Sequence, residues 1–152
     1  MNKIGTFITL SLITTLLHAS EEDLFFDDLP VVVSVTRLPQ RVQDLPASVT
    51  VIDRKMIDAS GVREIPDLLR LVAGFQVAHT SNFGARISAT YHGMSDQYSR
   101  RMQVLIDGRS VYMPATGGVD WFEIPLSIED IERIEVTRSP NGATYGANSF
   151  LG

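Results

Sequence analysis

Three carboxylates, three histidines and one glycine-bearing loop are the first residues whose chemistry needs an account. Asp53 stands between a β-branched run and a helical stretch, where its side chain is suited to cap the helix. Asp107 precedes Gly108, the pair favoured in a tight hairpin turn. Glu135 falls on the outer face of a short alternating strand. Each therefore has a local structural task. His18 lies near the N-terminus, and His79 and His92 sit in separate loops without an H-x-x-x-H spacing, so no metal site is expected. Ser139 and Ser149 lack a G-x-S-x-G elbow, and the loop carrying Gly142 and Gly146 lacks the G-K-[ST] of a phosphate cradle. The sequence thus predicts neither an enzyme nor a bound cofactor. Gly142 and Gly146 are read instead as residues that let the backbone turn tightly against another surface.

The elements that position these residues are short. Residues 47–52 (ASVTVI) predict a strand, and 54–57 a short helix that stops before Gly61. The clearest helix carries Pro66 in its first turn, with Ile65, Leu68, Leu69 and Val72 at the spacing of one buried face and Gly74 closing it. Short strands are expected over 75–78 and 86–91, and a hairpin over 104–112 with its turn at Asp107-Gly108. Ser127 and Asp130 match a capping box, and residues 134–138 (IEVTR) alternate with period two. The fold class is α+β: short strands in a mixed sheet, about three short helices and long loops.

Composition narrows the function further. The chain has 152 residues, 44% of them hydrophobic and none of them cysteine, enough for one modest core without disulfides. Residues 1–19 carry Lys3, an uncharged run and a small residue at Ala19, the pattern of a secretory signal peptide too short to span a bilayer. Five acids (Glu21, Glu22, Asp23, Asp27, Asp28) account for much of the net charge of −5. The rest is nearly neutral and offers no electrostatic footprint for nucleic acid. Residues 20–36 read as a flexible acidic arm ending in Pro30, Val31, Val32, Val33, Ser34, Val35 and Thr36. That run suits either an edge strand or an extended peptide free to add to a partner's sheet.

Residues 68–77 (LLRLVAGFQV), 104–112 (VLIDGRSVY) and 128–152 (IEDIERIEVTRSPNGATYGANSFLG) together resemble the plug domain of TonB-dependent outer-membrane receptors, in matching order from about Val31 onward. The resemblance implies a gating and ligand-sensing module over residues 37–152. It would normally sit inside a 22-stranded β-barrel of the same chain, as in plugged outer-membrane transporters. Residues 30–36 then take the place of the TonB box, which adds as a strand to TonB, the periplasmic energy transducer. Loops 80–85, 95–101 and 113–119 are implied to face a small-molecule nutrient, a ferric siderophore, cobalamin or similar. Tyr98, Arg100, Arg101, Tyr112 and Trp121 are the candidate ligand-facing side chains.

Arg138, His92 and Glu135 are the implied barrel-facing residues. Here the chain departs from the family: it has His92-Gly93 and Arg138-Ser139-Pro140 where Arg-Gly and Arg-Gly-Pro are usual, and the family pairs those arginines with glutamates of the barrel wall. A barrel of about 22 strands needs several hundred residues, so 152 residues are expected to end at the junction to it and not to transport alone. The expected location is the outer membrane within a full receptor, or the periplasm for this stretch by itself. A different class also fits the exposed valine run: a free-standing periplasmic binding or adaptor module docking through its N-terminal strand.

Overall fold

The computed structural model describes residues 30–80, 86–94 and 97–152, apart from the side chains of Thr80 and Arg86. The expected signal peptide over 1–19 and the acidic stretch over 20–29 lie outside the described residues, as do loop positions 81–85, 95 and 96. The compact body runs Val31–Gly152. The α+β class holds, with the strands distributed over four two-stranded antiparallel ladders in place of one mixed sheet.

The central ladder joins β3 (Val49–Asp53) to β8 (Arg133–Thr137), with Val51 opposite Glu135 and Ile52 opposite Ile134. Alternation sends Ile52 and Val136 into the core and turns Glu135 and Thr137 to the other face. The second ladder pairs β4 (Phe75–Thr80) with β5 (Arg86–Tyr91) from Phe75 opposite Tyr91 to Thr80 opposite Arg86. Two smaller ladders are β1 (Val31–Val32) with β2 (Gln40–Arg41), and β6 (Leu105–Ile106) with β7 (Arg109–Ser110). Asp107 and Gly108 connect β6 to β7 with φ of 49° and 76°, the two left-handed residues that a type I′ turn requires.

Among the described residues three short helices complete the body: α1 (Arg54–Ser60), α2 (Ile65–Leu68) and α3 (Gly142–Tyr145). Asp53 accepts the Met56 N–H at 2.8 Å, the cap its position predicts, and Gly61 ends the helix in the left-handed region. Helix α2 carries Pro66 in its first turn, tightens into a 3-10 turn over Leu69–Leu71, and buries Leu68, Leu69 and Val72 as the periodicity predicts. These meet Ile52, Ile57, Val77, Ile87, Ala89 and Val136 in one core. Full burial of a side chain such as Ile52 or Leu68 contributes about 1.5–3 kcal/mol. Arg54 ties α1 to the 3-10 turn at Ile128–Asp130, donating to the Ile128 and Ile131 carbonyls at 2.8 and 2.7 Å while pairing with Asp58. At that turn the Ser127 N–H donates to Asp130, as the capping-box spacing predicts.

Candidate functional site

The outer face of β8 is where the N-terminal segment lands. Glu135 Oε2 accepts two successive backbone N–H groups, from Val33 at 2.9 Å and Ser34 at 3.0 Å, across 102 and 101 residues of chain. Its other oxygen pairs with Arg133 at 2.9 Å, so both oxygens are engaged. In an extended strand successive N–H groups point in opposite directions. Here they converge on one oxygen because residues 34–36 are in a turn, closed by the Arg37 N–H donating to the Val33 carbonyl at 2.9 Å. Arg37 carries a φ of 62°, and its guanidinium lies 4.7 Å from the Tyr145 ring centroid. A carboxylate held by consecutive N–H groups of such a turn sits in a ready-made anion nest.

Two further polar contacts fasten the same segment. Thr137 Oγ1 donates to Ser34 Oγ at 3.1 Å, and the Asn141 side-chain amide donates to the Val35 carbonyl at 3.1 Å. Val32 and Val35 are buried, at 1% and 7% exposure, yet neither belongs to the main core cluster. Val31 and Val33 stay open to solvent. The structure therefore corrects two expectations for residues 31–36. They are packed on the body and not part of a loose arm, and only Val31–Val32 is strand, the rest being wound around Glu135. The reason is tertiary: β-branched residues prefer extended backbone locally, but the carboxylate supplies hydrogen bonds that only a turn can reach.

The candidate ligand-facing residues form a second assembly. Ser99 is fully buried with a φ of 46°; its hydroxyl donates to the Ala89 carbonyl at 2.7 Å and accepts the Trp121 indole N–H at 3.1 Å. Val119 N–H donates to the Tyr98 carbonyl, and Gly118 lies so close that a Cβ there would collide with that carbonyl. Arg100 lies 5.7 Å from the Tyr98 ring. Tyr98, Arg100 and Trp121 thus come together around Ser99. Tyr112 and Arg101 make other contacts, the Tyr112 N–H donating to Ser110 Oγ and the Arg101 carbonyl accepting from the Leu151 N–H. Trp121 is only partly exposed and packs against the core. Ser99 and Gly118 carried no signal in the sequence, since a serine in a polar loop and a glycine in a glycine pair look alike whether buried or not.

The remaining site residues sit as follows. The Arg138 guanidinium donates to Ser48 Oγ at 2.7 Å and leans on the Ala73 carbonyl at 3.5 Å, while its buried Nε has no partner among the described residues. His92 is exposed, with a φ of 53° in a turn after β5, and its ring leans tilted against Tyr91, the centroids 4.0 Å apart. Glu135, expected to face a barrel, is turned onto the chain's own backbone and only 12% exposed. His79 approaches both oxygens of Asp67 at 3.0 Å, and Arg70 pairs with Asp67 at 2.8 Å. Burial works against the Asp67 charge, but hydrogen bonds from Arg70 and His79 outweigh it and hold the carboxyl below its usual range. Among the described residues no group of three or more His, Asp or Glu is placed to hold a metal.

Comparison with known proteins gives this geometry a family. Residues 41–152 match the TonB-dependent Receptor Plug Domain. The whole chain is 32% identical to the "Vitamin B12 transporter BtuB" of Vibrio cholerae serotype O1, covering 24% of that protein. It is 31% identical, over 93% of its length, to the protein of the same name from Vibrio vulnificus, covering 22% of it. An "Iron-regulated outer membrane virulence protein" of Vibrio cholerae is 28% identical over 98% of the chain. The chain belongs to the TonB-dependent receptor plug domain family, and it is a receptor module rather than an enzyme. It spans about a quarter of the length of the relatives it matches.

Proposed function

We propose that this chain is the gating plug of an outer-membrane receptor that imports a small nutrient, with cobalamin ahead of a ferric siderophore. The match of residues 41–152 to the plug family carries the reading. Cobalamin is preferred because the relatives named as vitamin B12 transporters reach 32% identity, against 28% for the iron-regulated protein. In this reading nutrient settles on the loops around Tyr98, Arg100, Arg101, Tyr112 and Trp121. Residues 30–36 then become available to TonB, and pulling on them opens a path. Arg138 and His92 lie toward the surrounding barrel wall. An outer-membrane location follows for the receptor of which the plug is part, and the periplasm for this stretch alone.

The supporting geometry is that residues 33–35 are fastened to an outer strand face by polar contacts, and that the buried Val32 and Val35 lie outside the main core cluster. A segment that must be surrendered to a partner by strand addition has to be held that way. The test is site-specific photo-cross-linking from Val33, which is solvent-open, in cells given or denied cobalamin. Cross-linking to TonB that rises with cobalamin is the expected result. Capture of a different protein without TonB sinks the reading, and a response to ferric siderophore but not to cobalamin replaces the nutrient.

A further inference from the structure

We infer that Glu135 is a catch that keeps residues 33–36 wound, and that adding this segment as a strand to a partner and holding it on Glu135 exclude one another. The regulatory meaning rests on the strand-addition reading above; the catch itself rests on geometry alone. A strand offered to a partner's sheet must present N–H and C=O groups alternately along one edge. Around Val33 and Ser34 that edge does not exist, because both N–H groups are turned toward a single carboxylate oxygen. The Val35 carbonyl is occupied by Asn141 and the Val33 carbonyl by the Arg37 N–H. A partner strand therefore gains hydrogen bonds only after the turn unwinds and Glu135 lets go.

Glu135 dominates this holding set for three reasons. It is the charged member, and hydrogen bonds to an ionised acceptor are about twice as strong as neutral ones. It takes two donors at once. It is also fixed in place, since β8 is paired along its whole length to β3 and Arg133 anchors the second oxygen. The neighbouring Glu132 is exposed and has no part in the contact, which makes it a matched control. Glu135 is accordingly a positioning residue acting on the segment's backbone, with no need to touch nutrient or partner.

The chain has no cysteine, so a single introduced thiol reports without background. Val35→Cys places it at a position buried only while the segment is docked, and Val72→Cys places a second in the main core. In the Val35→Cys background, Glu135→Ala should raise the rate of reaction with a small thiol reagent at least about tenfold, a shift of ~1.4 kcal/mol in docking. Glu135→Gln, whose amide oxygen still accepts, should give a smaller rise, and Glu132→Gln none. The Val72→Cys rate should not move. A Val35→Cys rate within twofold of the parent in both Glu135 variants overturns the catch, as does an equal rise at Val72→Cys, which would mean general unfolding. Cross-linking from Val33 keeps the two readings apart. If Glu135→Ala frees Val35→Cys but nothing resembling TonB is captured, the catch stands and the receptor reading falls. If the parent captures TonB and Glu135→Ala changes neither thiol rate nor capture, the receptor reading stands and the catch falls.

Discussion

Two junctions in this molecule join distant stretches of chain, and they are made of different materials. Where residues 97–100 meet residues 118–121, backbone lies on backbone: Gly118 against the Tyr98 carbonyl, Val119 bonded to it, and a buried Ser99 hydroxyl holding Trp121 and Ala89 together. Where residues 31–36 meet β8 and Asn141 just beyond it, the polar contacts are one carboxylate, a hydroxyl and an amide, with Val32 and Val35 buried. The first leaves no room for an alternative arrangement, because close-packed groups cannot shift by half. The second has one waiting, since every backbone group it uses can be re-paired with water or with another strand. One region suits a fixed platform and the other a part that can let go.

The strongest way to break the comparison is at Gly118. Gly118→Ala sets a methyl group against the Tyr98 carbonyl, where the obstacle is backbone and not a flexible side chain, and should cost about 3 kcal/mol, the upper end for overpacking. Urea unfolding measures it; a loss under ~1 kcal/mol would mean that the platform yields. Gly142 is the matched control, with nothing within 4 Å of a Cβ and an ordinary helical backbone, so Gly142→Ala should be neutral or slightly stabilising. Ser99→Ala comes next. It strands the Trp121 N–H and the Ala89 carbonyl in a buried setting and should cost about 1–3 kcal/mol. The chain's one tryptophan reports the same event as a change in fluorescence, and unchanged emission would show that the indole is not held through Ser99.

How much of this was legible beforehand divides along the range of the contacts. The Asp53 cap, the Asp107-Gly108 turn and the buried face of Leu68, Leu69 and Val72 rest on residues within a few positions of one another, and spacing is enough to find them. The partnership of β3 with β8 spans most of the chain, and no local pattern announces it. Glu135 shows the limit most clearly. Alternation says that it leaves the core face, but not that another segment lies over the face to which it turns. For the same reason a β-branched run from Val31 reads as extended or free, although its N–H groups are drawn into a turn by a charge about a hundred positions away. Ser99 is hidden by its company, since buried hydroxyls and solvated ones occupy the same polar loops.

The cluster of Asp67 with Arg70 and His79 tests whether exposed ion pairs matter at all on this scaffold. Its carboxyl titrates below the ordinary range, so the contribution is fully present above the unfolded Asp value of about 3.9. It is lost as pH falls through the lower folded value. Asp67→Asn should therefore flatten the fall in stability between roughly pH 5 and 3 compared with the parent. Because both partners are about half exposed, the effect should stay under ~1 kcal/mol. Parallel urea titrations across that range decide it, and an identical acid slope in the two proteins would show that other carboxylates set it.

The smallest effect sharpens the comparison most. Glu135→Ala removes the two N–H contacts to residues 33 and 34 and the pairing with Arg133, but the stranded donors belong to a segment that can swing into water. Arg133, at 44% exposure, is solvated without its partner. The β3–β8 backbone pairing and the core face of Ile52 and Val136 do not depend on the side chain. Counted from the undocked state, the unfolding free energy of the body should therefore shift by no more than ~0.5 kcal/mol, within the range of surface substitutions, so that global unfolding in urea loses only the ~1.4 kcal/mol given up in docking. A total loss near ~3 kcal/mol, as at Gly118→Ala, would mean that residues 31–36 are part of the cooperative fold. The N-terminal segment would then be a structural element like the Tyr98–Gly118 junction, and the contrast between the two regions would be gone.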